Sequence, residues 1–165
     1  MATSTEVAIA TTTLGSAASS ITFSSIPSTY TDLRVVLVGT TSANTYCKLQ
    51  FNSDTAANYS ATWIVGDGTS AASYNIQDNW INITYGVGLK SATPTTNMFN
   101  VFSYAGSTYK TTLGENVGDL NGSGAVGRFV GLWRSTSAIN RIDLSLGTGN
   151  FATGTTATLY GIKAA

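Results

Sequence analysis

The chain has 165 residues, a length that suits one domain with a single core. Only 10% of these residues are charged, against about 25% in an average soluble protein, and eight Lys plus Arg balance eight Asp plus Glu. The basic residues are scattered singly, so the sequence disfavours binding to nucleic acid, which needs clustered cations, and adsorption to an anionic membrane.

The first 19 residues are the least patterned part of the chain. They are rich in Thr, Ser and Ala and are predicted to form an N-terminal arm or a first edge strand, while residues 20–165 are predicted to form a single β-sandwich domain. Arms of this kind often become ordered by pairing with a neighbouring subunit. The start also lacks the basic residues and the apolar run of a signal peptide, so we expect a protein made in the cytoplasm.

Apolar and polar residues alternate through the first half of the domain, which is typical of half-buried strands. Turn-forming residues separate the alternating segments, as at Ile26-Pro27 and Asn52-Ser53-Asp54. The apolar positions of these predicted strands are Ile21, Phe23, Leu33, Val35, Leu37, Cys47, Leu49, Phe51, Tyr59, Ala61, Trp63 and Val65.

The second half of the chain repeats this pattern. Its predicted strands lie at Ile81 and Ile83, Phe99 and Val101, Tyr109 to Leu113, Phe129 to Trp133, Ile139 to Leu146 and Thr156 to Ile162. Counting these segments gives nine or ten strands, and helical spacing is hard to find. The sequence therefore predicts an all-β fold, an antiparallel β-sandwich with little or no helix.

Two residue types that carry much of protein catalysis are scarce. Histidine is absent and Cys47 is the only cysteine, which excludes a Ser-His-Asp or Cys-His centre, a His-ligated zinc or haem, and a disulfide within the chain. Cys47 alternates with Leu49 and Phe51, a pattern that favours a buried position in the core.

The spacing of the acidic residues does not indicate a catalytic pair. A glycosidase needs two carboxylates, but most of the acids here lie beside Gly, Asn or Ser, where Asp commonly stabilises turns, and Asp143 is expected to pair with Arg141 on the surface. The segment from Asp119 to Gly124 is rich in oxygen ligands but lacks the further acids of a calcium loop. We therefore predict no catalytic residue, no cofactor and no metal site.

The aromatic residues divide into two groups. Trp63 and Trp133 lie within apolar alternations and are predicted to pack in the core. Tyr74 and Trp80 have Asn75, Gln77, Asp78 and Asn79 around them in a predicted loop. These two rings are the best candidates for an exposed contact with a glycan or a partner subunit.

Three passages resemble a group of small virion structural proteins of tailed phages. They are Ile21-Thr22-Phe23-Ser24-Ser25-Ile26-Pro27 with Tyr30-Thr31-Asp32-Leu33, then Leu49-Gln50-Phe51-Asn52 with Asn58-Tyr59-Ser60, and the closing Thr158-Leu159-Tyr160-Gly161-Ile162-Lys163. The resemblance spans nearly the whole chain, and its motifs are structural rather than catalytic.

This resemblance implies a jelly-roll-like β-sandwich that assembles into a homo-oligomer, in particular a trimer, on the exterior of a virion. The first hypothesis is a capsid decoration protein, with the major capsid protein or another virion protein as its partner. The second is a tail-fibre or receptor-binding module, in which Tyr74 and Trp80 stack on a host glycan. An enzyme such as a depolymerase is the third and least supported class.

Overall fold

The computed structural model describes residues 5–120 and 122–163, and in these residues it contains twelve strands and no helix. The first four residues of the predicted arm lie outside the described part. The strands are β1 (Glu6–Thr13), β2 (Ser20–Phe23), β3 (Asp32–Gly39), β4 (Cys47–Phe51), β5 (Tyr59–Gly66), β6 (Ala71–Asp78), β7 (Ile81–Asn82), β8 (Thr95–Phe102), β9 (Lys110–Asp119), β10 (Gly124–Trp133), β11 (Ile142–Leu146) and β12 (Thr156–Ile162).

The strands form two antiparallel sheets of unequal size. The larger sheet has the order β1-β12-β3-β8-β9-β10-β5-β6, and the smaller has the order β2-β11-β4-β7. The apolar side chains of both sheets meet in one buried core. The predicted all-β antiparallel sandwich is confirmed, while the number of strands is twelve instead of nine or ten.

Strand β1 forms one edge of the large sheet. It pairs with β12 of the same chain, and its register shifts between Ala8 and Ala10. Such an irregularity bends an edge strand and makes it a poorer template for a further strand.

The predicted alternation holds in the strands that supply the core. Leu33, Val35 and Leu37 of β3 are buried, as are Cys47 and the other inward residues of β4. Burial raises the pKa of the Cys47 thiol well above its usual range, so this side chain is an inert part of the core.

The largest core side chains also have polar atoms, and these find partners. Trp63 Nε1 donates a hydrogen bond of 2.7 Å to the carbonyl of Asn82, which links the large sheet to β7. The Tyr59 hydroxyl accepts from the amide of Phe51 at 3.1 Å and donates to the carbonyl of Asp54 at 3.1 Å. Buried aromatic groups with satisfied polar atoms fix the relative position of the two sheets.

Strand β6 was missed by the sequence-based prediction, which placed Tyr74 in a loop. Tyr74 instead lies in the middle of β6, opposite Trp63 of β5, and Trp80 lies in the short turn between β6 and β7. The prediction failed because β6 is the other edge of the large sheet and is exposed over most of its length. A strand that buries neither side lacks the alternation by which strands are recognised.

Strand β9 carries its side chains in an unexpected direction. The aliphatic residues Leu113 and Val117 are exposed on the outer side of the sheet, whereas Lys110, Thr112 and Asn116 are buried. The predicted strand from Tyr109 to Leu113 exists, but its apolar side chains face away from the core.

Glycine at position 114 of β9 makes room for two rings of the core. A Cβ added to Gly114 would overlap the ring of Phe129 and lie 2.6 Å from Cβ of Phe99. Gly124, at the start of β10, has open space around it. The two positions therefore differ in packing but not in residue type.

We predict that Gly114→Ala destabilises the protein by about 1–3 kcal/mol, because the extra methyl overpacks a rigid core. Gly124→Ala is the matched control and should be neutral or slightly stabilising, since alanine reduces the freedom of the unfolded chain. Urea unfolding of the two variants measures the difference. Equal midpoints for both variants would contradict the packing described here.

Candidate functional site

The acidic side chains considered as catalytic candidates are mostly engaged by their own neighbourhood. Asp67 Oδ1 accepts hydrogen bonds from the amides of Ser70 at 2.7 Å and Thr69 at 2.9 Å, and these lower the pKa of Asp67 to about 2. Arg141 Nη2 lies 2.7 Å from Asp143 Oδ1, so the predicted surface charge pair is confirmed. Both carboxylates stabilise local structure.

Asp54 likewise supports the core instead of facing a cleft as a free acid. Its Oδ2 accepts hydrogen bonds from Trp133 Nε1 at 2.8 Å and from Asn58 Nδ2 at 3.0 Å, and its Oδ1 accepts from the amide of Ala56 at 2.9 Å. Trp133 is buried, as predicted, and Asp54 satisfies the polar atom of its ring.

Metal ligands are not gathered in the described part of the chain. Across residues 5–120 and 122–163, His, Cys, Asp and Glu side chains form no group of three or more that could hold an ion. In the segment from Asp119 to Gly124, Asp119 Oδ1 accepts from the amide of Gly122 at 3.1 Å, as in an ordinary turn, while Asn121 lies outside the described residues. The described residues contain no helix that is long and apolar enough to cross a membrane.

Lys110 is a buried cation that the sequence pattern did not single out. Its ammonium group donates hydrogen bonds to the carbonyls of Gly106 at 2.7 Å and Thr108 at 2.5 Å. It also donates to the carbonyl of Thr136 at 3.5 Å. Burial lowers the pKa of Lys110. Because the ammonium ties two loops together at the end of the sandwich, its role is structural.

Trp80, one of the two predicted contact residues, is already stacked within the chain. Its ring lies 5.2 Å from the ring of Tyr46 at an interplanar angle of 13°, and Lys48 Nζ is 5.1 Å from the Trp80 ring. Trp80 is half-buried, and one of its faces is covered by Tyr46. This arrangement leaves Trp80 a poor platform for a ligand.

Tyr74, the other predicted contact residue, belongs to a different aromatic cluster. Its ring is 4.8 Å from that of Tyr85, which in turn stacks on Trp63 at 4.8 Å. The Tyr74 side chain remains 44% exposed. Tyr74 and Trp80 therefore pack against different partners and do not form one platform.

An open cleft of about 400 Å³ lies beside Tyr74. Its walls come from the β5–β6 hairpin, from the turn after β7 and from the neighbouring end of the β9–β10 hairpin; they include Val65, Asp67, Ser70, Tyr74, Tyr85 and Leu120. An exposed ring next to hydroxyl and carboxylate groups is a combination that binds sugars, since the ring stacks on C–H groups and the oxygens hydrogen-bond to hydroxyls. We call this surface the Tyr74 cleft.

Polar side chains are buried inside the sandwich, where β8 and β9 run side by side. Asn97 and Asn116 are opposite each other, both are buried, and Asn116 Nδ2 donates to the carbonyl of Ile83 at 2.8 Å. These amides carry no charge, and Thr95 and Thr112 are buried on the same two strands. Neutral amide and hydroxyl groups suit water better than a metal ion. The sequence pattern does not single out these two residues, because Asn is common in turns.

Aliphatic side chains cover the outer side of β9, β10 and β5. Cross-strand pairs place Leu113 opposite Val130, Glu115 opposite Arg128 and Val117 opposite Val126. The exposed fractions are 65% for Ile64, 49% for Val126, 46% for Val117, 44% for Val130 and 39% for Leu113. We call these residues, with Glu115 and Arg128 between them, the outer patch.

The edge formed by β6 is a further surface that could contact another protein. Its eight residues pair with β5 without a register shift, and from Ser73 to Gln77 all side chains are uncharged. Native sheets usually protect an edge with lysine, proline or a bulge. Strand β1 has such an irregularity, whereas β6 has none of the three.

Comparisons with known proteins identify no family for this chain. No protein-family model matches it, and a search of curated proteins finds no match. Among solved structures, it is similar to the exo-inulinase of Aspergillus awamori with a TM-score of 0.47 and 13% sequence identity, over 95% of this chain and 29% of the inulinase chain. The chain thus spans less than a third of that enzyme, and a similarity this weak carries no functional argument.

We predict that Asp67→Ala lowers the thermal midpoint at neutral pH and that this loss fades as the pH falls through about 2. The folded-state pKa of Asp67 lies below its usual value, so the unfolded chain binds the proton more tightly than the folded chain does. The ionised carboxylate therefore stabilises the fold fully above the pKa of the unfolded chain, and this stabilisation is lost as the pH falls through about 2. Asp67→Asn is the control, because it keeps an oxygen acceptor that does not titrate. A gap between wild type and Asp67→Ala that stays constant from pH 2 to pH 5 would refute the assignment.

Proposed function

We propose that this protein is a structural component of a tailed-phage virion, specifically a capsid decoration protein that binds the exterior of the capsid as a homo-oligomer. Its partners are further copies of itself and the major capsid protein or another virion protein. The proposal starts from the resemblance of three passages to small virion proteins and is supported by the structural roles that residues of these passages have in the fold.

The first and third of the passages that carry the resemblance lie in contact with each other. Gly161 packs directly against the ring of Tyr30, where a Cβ would overlap that ring, and Lys163 Nζ lies 5.8 Å from the same ring. Tyr59 of the middle passage is hydrogen-bonded to Phe51 of the same passage. The residues of these passages therefore stabilise the sandwich, which agrees with a resemblance carried by structural motifs.

The observation that carries the adhesive role is the open edge at β6. Its backbone donors and acceptors on the free side can pair with a strand of another protein, and such strand addition gives affinity through main-chain hydrogen bonds. The exposed side chains Tyr74 and Ile76 of this edge add apolar contact area. Adhesion of this kind depends little on ionic strength, in keeping with a chain in which 10% of residues are charged.

We predict that reconstruction of the virion carrying this protein places its density on the outside of the head. In the same system, particles lacking the protein should bind purified wild type and lose binding to the double variant Ser73→Lys/Asn75→Lys, because two lysines on the edge oppose strand addition. Co-sedimentation with the particles measures binding.

Ser28→Lys is the matched control, since Ser28 is exposed in the loop after β2 and the substitution adds a lysine away from the edge. It should bind as wild type does. Density confined to the tail would overturn the capsid role, and undiminished binding of the double variant would remove β6 as the contact.

A second function, that of a tail-fibre or receptor-binding module for host glycans, is favoured by the Tyr74 cleft alone. One oxygen of Asp67, Oδ2, has only a 3.3 Å hydrogen bond from Ser70 and can accept from a sugar hydroxyl. Tyr74 offers an exposed ring beside it. This version differs from the sequence-based hypothesis because Trp80 is not part of the cleft.

For this second function we predict that a glycan array detects binding by wild type, that Tyr74→Ala abolishes it and that Trp80→Ala retains it. Loss of one stacked ring typically costs enough to weaken a small-ligand site at least about tenfold. Circular dichroism of both variants checks that the fold persists. Failure of wild type to bind any host polysaccharide would count against the glycan-binding role.

A further inference from the structure

The outer patch shows an inversion of the usual sandwich pattern. Along β9 the aliphatic residues Leu113 and Val117 face outward, and the polar residues Thr112 and Asn116 face the core. Leaving aliphatic groups in water costs free energy roughly in proportion to their exposed area. A strand that places them outside while polar groups occupy the inside is arranged for contact on its outer side.

The centre of the outer patch is charged in a way that restricts its partner. Glu115 and Arg128 are cross-strand neighbours, and Arg128 Nε lies 3.9 Å from Glu115 Oε2. The side chain of Glu115 is 41% exposed and that of Arg128 is 63% exposed. A complementary surface must place a base over Glu115 and an acid over Arg128 at the spacing of two adjacent strands, with aliphatic residues on both sides. The outer patch itself has this composition and spacing.

We propose that the partner of the outer patch is the outer patch of a second copy of this chain. A two-fold axis that runs between β9 and β10, parallel to the strands, places β9 of one copy over β10 of the other. Each residue then faces the cross-strand partner of its own counterpart. The facing pairs are Leu113 with Val130, Glu115 with Arg128, and Val117 with Val126, each formed twice.

The charges select this axis over the other simple choice. A two-fold axis in the same plane but perpendicular to the strands would place Glu115 over Glu115 and Arg128 over Arg128 of the second copy. Like charges facing each other at a contact are strongly disfavoured. The ion pair therefore fixes the register, while the facing aliphatic residues supply the apolar contact; these are Leu113, Val117, Val126 and Val130.

The resulting contact follows the ordinary geometry of stacked sheets. Two aligned sheets pack about 10 Å apart with their strands crossing at roughly 30°. The pairing is isologous, so it produces assemblies with an even number of copies. The trimer expected from the resemblance requires a different surface.

This inference rests on the proposed function in one respect, since it names the surface through which copies of the protein adhere to one another. Its outcome is nevertheless separable. A dimer that does not bind the phage head would contradict only the capsid role. A monomer that binds the head would contradict only the pairing of two copies.

The test is sedimentation equilibrium and native mass measurement of the purified full chain. Wild type should be a dimer or a higher even oligomer, and Val130→Lys should weaken the dimer by at least roughly 30-fold, as expected for a residue near the centre of a contact. Thr11→Lys is the matched control on the outer side of β1, at the far edge of the same sheet, and should leave the mass unchanged.

Charge reversal gives a second, sharper readout. Glu115→Arg and Arg128→Glu should each weaken the dimer, and the double variant should restore it, because the swapped charges again face their opposites. Circular dichroism verifies that each variant is folded. A wild-type monomer or trimer, a dimer that survives Val130→Lys, or a double variant as weak as the single ones would overturn the proposal.

Discussion

The unequal size of the two sheets is the constraint from which the other features of this structure follow. Eight strands face four, so the small sheet cannot cover the whole inner side of the large one. The inner face of β9 is completed by other means, with Asn116 bonded to the carbonyl of Ile83 and Val87 packed against Gly118. The small sheet does not extend over the edge strand β6, which lies next to β5 and is exposed over most of its length.

Most polar groups that could have formed a reactive centre are used to hold this arrangement together. Asp54 serves the ring of Trp133, Asp67 closes the β5–β6 hairpin, and Lys110 ties two loops to the end of the sandwich. Each of these groups has a partner within the chain, and most of those partners belong to the backbone. The surfaces available to other molecules in the described part of the chain include the backbone at the β6 edge, the exposed ring of Tyr74 and the aliphatic outer patch.

These surfaces differ in the kind of contact that they suit. The β6 edge offers directional hydrogen bonds and accepts a strand of varied sequence, because the main chain provides most of the affinity. The outer patch offers apolar area with a central ion pair, which sets the register and the symmetry of whatever binds there. The proposed binding to a capsid would use the β6 edge, and the proposed pairing of two copies would use the outer patch.

The sequence by itself determined the fold class, the buried position of Cys47, Trp63 and Trp133, and the charge pair of Arg141 with Asp143, because alternation with period two and local spacing suffice for these. It did not determine β6, since an edge strand with both sides exposed has no alternation to detect. Nor did it determine that the ring of Tyr74 packs against Tyr85 while that of Trp80 stacks on Tyr46, because those partners come from other elements. The direction of β9 was also decided only by the tertiary structure: period two shows that two sides differ, but only packing against the rest of the chain decides which of them faces the core.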